Sequence, residues 1–388
     1  MKLSGRATGP EANSDQVLEL PSSSRLLWPW LVVSVICFFY GCYLLVPDSQ
    51  APSIAHSVAS TPAEAPLPVP TQDLRPTSNQ PMIACVDSDA SSFAWAGHAL
   101  SQRVEKATSG RLKLGYASDG VVEGKKYDEL GIIHQVQIGH VAMAIVTSSP
   151  LSNIDTDYEI FDLPFLFKDE AEADKVLMGP VGKSLLNGLE KNEIKGLASF
   201  DLGFRIFTTE VPMPTLADFK GKKIRVMQSS TAIAMVRLLG CEPVASAVDK
   251  IYQMGKEGYI DGADRTYPTF WDFKLYEVQH YITETYHSYP IKVLIANQRW
   301  FASLAKDEQN AIVNCIPAIE QEQRQHQRAE DRRVKKQCLA RGIKIFELSP
   351  QERERFRQAC EPLYGEYEKL RGRYILQEVR MITHPEAP

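Results

Sequence analysis

The chain holds the residue types of most catalytic repertoires, but not at the spacings that make them work. Gly182-Lys183-Ser184 resembles the end of a phosphate-cradling loop, yet Leu177 stands where that loop's leading glycine belongs. No two glycines lie two residues apart, which excludes the dinucleotide-binding fingerprint. The 8 histidines form no HxH, HxxxH or HExxH arrangement, and no two of the 7 cysteines have CxxC spacing. Cys241, Cys315, Cys338 and Cys360 sit in apolar or helical settings that suit inert structural thiols. Serine, histidine and aspartate are plentiful without a nucleophile elbow. The reading is of a non-enzyme: no catalytic residue, no metal site and no cofactor. The 43 basic residues face 48 acidic ones, for a net charge of −5, so no global field draws nucleic acid. Any anion must then be held by a few placed cations. Arginine suits that task, because its planar fork grips a carboxylate through two parallel charge-assisted hydrogen bonds.

The elements that would position such cations divide the 388 residues unequally. Hydrophobic residues make up 44% and charged residues 23%, a globular composition, and the mean hydropathy of −0.23 excludes a polytopic transporter. Leu27–Val46 is uncharged and long enough to cross a bilayer as a helix. Lys2, Arg6 and Arg25 precede it and the next basic residue is Arg75, which orients the N-terminus inward. Residues 1–26 then read as a cytoplasmic tail and 27–46 as a signal-anchor. An uncleaved anchor is preferred over a cleaved signal, for which Ser53-Ile54-Ala55 and Ser57-Val58-Ala59 have small residues at suitable spacing, and over a lipoprotein cysteine at Cys42. Within 51–80, six Pro, five Ala, four Ser and three Thr leave too little apolar surface to offset ordering entropy, so 47–80 reads as a tether.

The remaining body, 81–388, alternates strands and helices. Met82–Val86, Arg111–Tyr116 and Val141–Val146 read as strands, with helices around Phe93–Val104 and Leu130–Gln137 between them. The pattern resumes with strand Lys223–Met227, helix Ser230–Leu239, strand Glu242–Ala245, a short helix Lys250–Lys256 and Ile260–Gly262 as a strand running into a turn. Short connections in this order predict mostly parallel sheets in two α/β lobes. Asp307–Leu339 predicts a long helix, bent or interrupted near Pro317, whose mixed charges suit a solvated face. A cleft between two such lobes is a usual small-molecule site that closes by hinge motion.

Four stretches in order carry a resemblance: Phe161–Phe167 (FDLPFLF), Gly203–Thr208 (GFRIFT), Asp218–Met227 (DFKGKKIRVM) and Lys274–Gln279 (KLYEVQ). From about Met82 to Leu376 the chain resembles the DctP-type solute-binding proteins of tripartite ATP-independent periplasmic (TRAP) transporters. The resemblance implies a two-lobed, periplasmic-binding-protein-like α/β fold with a hinge and a long spine helix. Lobe I would cover about 81–203 plus C-terminal parts, lobe II about 204–292, and the spine and C-terminal helices about 303–376. It implies a receptor, tethered on the periplasmic side of the inner membrane or released there, that hands an organic acid to the small and large subunits of a TRAP permease. The tether leaves open a sensory receptor that reports its ligand to a signalling partner.

The resemblance also implies ligand-binding residues. Arg225, alone a surface arginine after two lysines, matches the family's carboxylate-gripping arginine. Arg205 matches a second family arginine near the ligand, with an interdomain structural role as the alternative. Thr147, Ser148 and Gln228 are polar candidates at strand ends. The family's DG-x-E-N pattern departs here to Asp261-Gly262-Ala263-Asp264-Arg265, with Arg265 in place of the ligand-contacting asparagine. An added cation in a closed cleft must pair with Asp264 or another acid, or meet a second anionic group on the ligand. Val248, where an aromatic is usual, would enlarge the site, and Tyr267, Phe270 and Trp271 would wall it or serve as core. Tyr286, His287 and Tyr289 are weaker candidates on a lobe-crossing segment.

Overall fold

The structure is a computed structural model and describes residues 80–383. Among these residues eleven strands build two main sheets. In chain order they are β1 Met82–Cys85, β2 Gly115–Ala117, β3 Met143–Thr147, β4 Ile194–Asp201, β5 Ile206–Thr209, β6 Lys223–Val226, β7 Glu242–Ala245, β8 Gly262–Arg265, β9 Tyr281–Glu284, β10 Ile291–Asn297 and β11 Lys344–Glu347. The first sheet has the order β2-β1-β3-β10-β4 and the second β11-β9-β5-β8-β6-β7. A two-residue hairpin, Val121–Val122 with Lys125–Lys126, stands apart. The anchor and tether predicted for 27–46 and 47–80 lie outside the described residues, apart from Gln80. No helix among those described is long and apolar enough to cross a membrane.

Both sheets are mixed, which corrects the expectation of mostly parallel ones. Strands β1, β2 and β3 run parallel, as do β6, β7 and β8. Strand β10 is antiparallel to both β3 and β4, while β5 is antiparallel to β8 and β9. The reason lies in two crossings. The chain leaves the first sheet after β4 and enters the second at β5, then leaves the second after β9 and returns at β10. These crossings lie side by side: Arg205 N donates to Ser288 O at 2.9 Å, and His287 N to Arg205 O at 3.3 Å. A pair of adjacent crossings that run in opposite senses forces antiparallel neighbours in each sheet.

Local sequence accounts for the elements that matter. All five residues of β3 are buried, a continuous apolar run covered on both faces. The helix Ser92–Ala107 is capped by Ser91 Oγ, which accepts from Ala94 N at 3.1 Å, and buries Phe93, Ala96, Leu100 and Val104. Asp128 caps Glu129–Gln137 in the same way. The strand expected over Arg111–Tyr116 forms only at Gly115–Ala117; Leu112 and Leu114 are buried without ladder partners. The strand expected at Ile260–Gly262 instead begins at Gly262 and runs to Arg265. Gly262 is required there, since a Cβ would stand 2.6 Å from Thr208 O on the neighbouring β5.

The long helix Lys306–Ala340 is unbroken, with Pro317 inside it. The missing N–H orphans the Val313 carbonyl, but Val313 is among the exposed apolar residues, so water can satisfy it. At about 50 Å the helix is long enough to touch both sheets, and it packs against β4 and β11. Its face is not wholly solvated as its charges suggest: Gln323, Arg324 and Gln327 are buried. Gln323 accepts from Asp201 N and donates to Asp201 O, both at 2.8 Å, and Gln327 donates to Leu202 O at 3.1 Å. The helix is thus bolted to the start of the first crossing. Gly203 completes that crossing at φ +87°, where a Cβ would lie 2.7 Å from an Asp331 carboxylate oxygen.

Candidate ligand-binding cleft

The two sheets present strand ends to one another, and a small cavity of about 60 Å³ lies between their elements. From the first side come Val86, Tyr127, Glu129 and Pro150; from the second come Arg225, Met227, Gln228, Val248 and Phe273. The parallel strands β6 and β7 both end here. Ligands of open α/β sheets bind outside such carboxyl ends, where chain direction gathers loops and helix starts.

Arg225 is 2% exposed on β6. Its Nε donates to Ser246 O at 3.0 Å and its Nη2 to the same carbonyl, so the backbone after β7 fixes the plane of the guanidinium. Among the described residues its Nη1 has no protein acceptor, which leaves the Nη1–Nη2 edge toward the cavity it lines. Burial brings this guanidinium down to about 10; the Asp264 carboxylate opposes that drop and Arg205 adds to it. The group remains a cation at neutral pH.

Arg205 lies on the first crossing and is committed to Asp264. Its Nε and Nη2 each reach a carboxylate oxygen of Asp264 at 2.8 Å, and Nη2 also reaches Asp264 O at 2.5 Å. Nη1 lies 3.2 Å from Met227 Sδ. Burial alone would raise the Asp264 carboxyl, but Arg205 and the nearby His287 hold it well below the usual carboxylate range. His287 Nε2 stands 3.6 Å from Asp264, too far for a hydrogen bond, while Nδ1 is 2.7 Å from Thr285 Oγ1. Burial keeps His287 below its ordinary value, and its ring stacks on Phe207 with centroids 4.4 Å apart. Arg205, Asp264 and His287 therefore tie β8 to both crossings.

Arg265 is 1% exposed on β8, and among the described residues its Nε, Nη1 and Nη2 are all without a hydrogen-bond partner. The pairing with Asp264 weighed from sequence does not form, because Arg205 occupies that carboxylate on both oxygens. Burial pushes Arg265 well below its ordinary value, and the charges of Arg225 and Arg205 add to the effect.

The remaining candidates separate. Gln228 and Val248 line the cavity. Thr147 and Ser148 are buried behind it: Thr147 N and Oγ1 both donate to Glu129 Oε1, at 3.0 and 2.7 Å, and Ser148 Oγ accepts from Ile291 N at 3.2 Å. Tyr267 gives its hydroxyl to Glu284 at 2.7 Å. Phe270 and Trp271 pack against Tyr276 in the core of the second sheet rather than against the cavity. Tyr286 and Tyr289 donate to Glu284 and Asp201, both at 2.6 Å.

Sequence reasoning missed Glu129 and Phe273. Glu129 is held by Lys292 at 2.7 Å, itself paired with Asp87 at 2.5 Å, and this triad places an acid opposite Arg225. Glu129 looked like the unremarkable first residue of a helix. A lysine inside the fully buried strand β10 was the available signal, since a buried ammonium requires acids around it.

Residues 86–370 match the family model of the bacterial extracellular solute-binding proteins, family 7, DctP. The chain belongs to this family. It is a periplasmic transport receptor of the TRAP type and not an enzyme. The C4-dicarboxylate-binding protein DctB of Bacillus subtilis is 26% identical over 291 residues, 73% of this chain and 81% of that one. Among solved structures, a TRAP periplasmic solute-binding protein from Xanthobacter autotrophicus with bound β-D-galacturonate matches with a TM-score of 0.74 at 26% identity. That match covers 78% of this chain and 99% of the other. The sugar acid binding protein DctPAm from Advenella mimigardefordensis, in complex with galactonate, matches with a TM-score of 0.76 at 26% identity, covering 81% and 100%. Together these matches account for the two-domain α/β architecture of this member of the DctP family.

Proposed function

We propose that the chain captures a small organic acid by seating a carboxylate on the free edge of Arg225, and delivers it to the two membrane subunits of a TRAP permease. The observation that carries this reading is a buried cation on a cavity wall whose other donors are already fixed by Ser246 O. A fixed fork supplies orientation as well as charge. The relatives named above bind C4-dicarboxylates, galacturonate or galactonate, acids with the same recognisable group. Glu129 across the cavity supplies an acceptor for a ligand hydroxyl.

The apolar run Leu27–Val46 supports a second element of the proposal: retention at the outer face of the inner membrane, with 47–80 as the tether. The same anchor favours the alternative of a receptor that reports ligand to a signalling partner, which loss of uptake in a deletion strain would argue against. For the ligand, the test is a thermal-shift and calorimetric panel of mono-, di- and sugar acids on the full chain in detergent. At least one acid raises Tm in proportion to its occupancy. Arg225→Ala lowers affinity for every acid that binds, by 100-fold or more. An unchanged shift in Arg225→Ala would refute the role of this residue.

A further inference from the structure

A second hollow, far larger than the Arg225 cavity, is a groove of about 870 Å³ that shares no lining residue with it. Phe204 of the first crossing and Tyr286 of the second both line it, together with part of the segment 165–171. The long helix Lys306–Ala340 and the helix Pro350–Cys360 supply the rest, apart from Tyr267. Its volume falls in the range of sites that hold small organic molecules. The aromatic lining is set at a conformational cost. Phe165, Phe204 and Tyr286 are only partly buried, and Phe204 meets Tyr286 edge to face with centroids 5.9 Å apart. Phe165 and Tyr286 have φ of +61° and +46°, and among the described residues they are the two aromatics with positive φ. Such a backbone is rare for a bulky side chain, and strain of this kind gathers at functional sites. The Phe165 N–H donates to His287 O at 2.6 Å, which ties one strained residue to the crossing that carries the other.

Charge supplies the second half of the site. Lys168, Arg332 and Arg353 reach the groove from three separate elements, and among the described residues none of them is in an ion pair. Arg353 donates Nη1 to Thr285 O at 3.0 Å, and its guanidinium lies 5.9 Å from the centre of the Tyr286 ring. Three of the acids that line the groove are engaged. Glu170 pairs with Arg328 at 3.1 Å, Glu354 pairs with Arg357 at 2.8 Å, and Asp169 caps the helix Glu170–Leu177. The fourth, Asp331, is pushed well above the ordinary carboxylate range by burial, with Asp201 and Glu170 adding to the effect, which favours its uncharged form. Spare positive charge thus stands beside accessible ring faces. We propose that this groove is a second ligand site, and that it takes a small aromatic organic anion. The ring system packs against Phe165, Phe204 and Tyr286, while the anionic group meets Arg332, Arg353 and Lys168. The site is independent of the carboxylate role of Arg225.

The test is titration calorimetry on the full chain in detergent, with heats in protein-free detergent subtracted. Naphthalene-1-sulfonate is compared with two probes that each lack one half of it: uncharged naphthalene-1-sulfonamide, and methanesulfonate, which has no ring. The naphthalenesulfonate binds at one site per chain, about 10-fold or more tightly than either partial probe. The double variant Arg332→Glu with Arg353→Glu weakens it by about 10-fold or more, whereas Arg225→Ala leaves it within about 3-fold of wild type. If the double variant does not fold, Lys168→Glu at an exposed position replaces it, with a loss of about 3-fold or more. A naphthalenesulfonate that does not bind, or binds no better than either partial probe, overturns the proposal. Binding that is lost in Arg225→Ala and kept in the groove variants puts the probe in the other cavity and overturns it as well. Neither result bears on the organic-acid panel, by which the Arg225 reading stands or falls separately.

Discussion

Arg205, Arg225 and Arg265 share one residue type and one strand end, yet their partners give them three different tasks. Arg205 is bidentate to Asp264 and holds β8 to the crossing; Arg225 is half-committed to Ser246 O; Arg265 has no hydrogen-bond partner among the described residues. The pair with the clearest structural consequence is the first. Removing one member of a buried ion pair strands the other, a loss of about 3–5 kcal/mol. Asp264→Asn therefore lowers the midpoint of urea unfolding sharply, because it leaves the buried Arg205 guanidinium without its bidentate carboxylate. An unchanged midpoint would mean that Asp264 does not neutralise Arg205. The Asp264 charge is present at every pH at which the chain is handled, since Arg205 and His287 hold the carboxyl far below its ordinary value despite burial. Its stabilising contribution exists above the ordinary carboxylate range and is lost only in strong acid.

At the scale of elements, the segment Thr156–Asp162 shows the opposite electrostatic sign. Asp162 is buried, with Oδ1 accepting from Ser149 Oγ at 2.5 Å and Oδ2 unpartnered. Burial pushes its carboxyl up to about 6, with Ser149 and Ser229 resisting. Between about pH 4 and 6 the folded chain keeps a proton that the unfolded chain has released. Stability from this group is therefore greatest below pH 4, falls as pH rises to about 6, and is flat beyond it. The slope is at most about 1.4 kcal/mol per pH unit. Urea unfolding of Asp162→Asn and wild type at pH 4, 5, 6 and 7 checks this: the variant gains on the wild type as pH rises to 6 and holds that gain at 7. A constant difference across the four pH values would overturn it. The same segment opens the FDLPF stretch, whose first phenylalanine is core: Phe161 is 1% exposed, while Phe165 is only partly buried.

Over the whole molecule, the two crossings and the long helix Lys306–Ala340 set the relation between the sheets. Gln323 and Gln327 pin the first crossing, and Arg328 adds ion pairs to Asp201 and Asp174, both at 2.8 Å. The proposed tether belongs to this scale as well. The full chain expressed in a bacterial host stays in the membrane pellet after an alkaline carbonate wash, and deletion of 1–80 releases the body into the soluble fraction. Recovery of the full chain as a shortened soluble species would instead establish cleavage after the apolar run.

Much of this was legible in the sequence. Apolar periodicity located the helices Ser92–Ala107, Glu129–Gln137 and Ser230–Leu238 to within a few residues, and the long charged stretch gave the spine. These depend on contacts close in sequence, which is why a linear pattern records them. Four motifs in register gave the family, and the absence of catalytic spacing argued against an enzyme. The strands β4, β5, β9 and β10 were not read as a set, because their direction is fixed by two crossings about 80 residues apart. The fates of the arginines were also hidden. Sequence placed Asp264 beside Arg265 and invited a bridge; alternation along β8 sends neighbouring side chains to opposite faces, and β5 brings Arg205 to Asp264 instead. Which charge is neutralised depends on which strand lies alongside, and only the tertiary structure decides that.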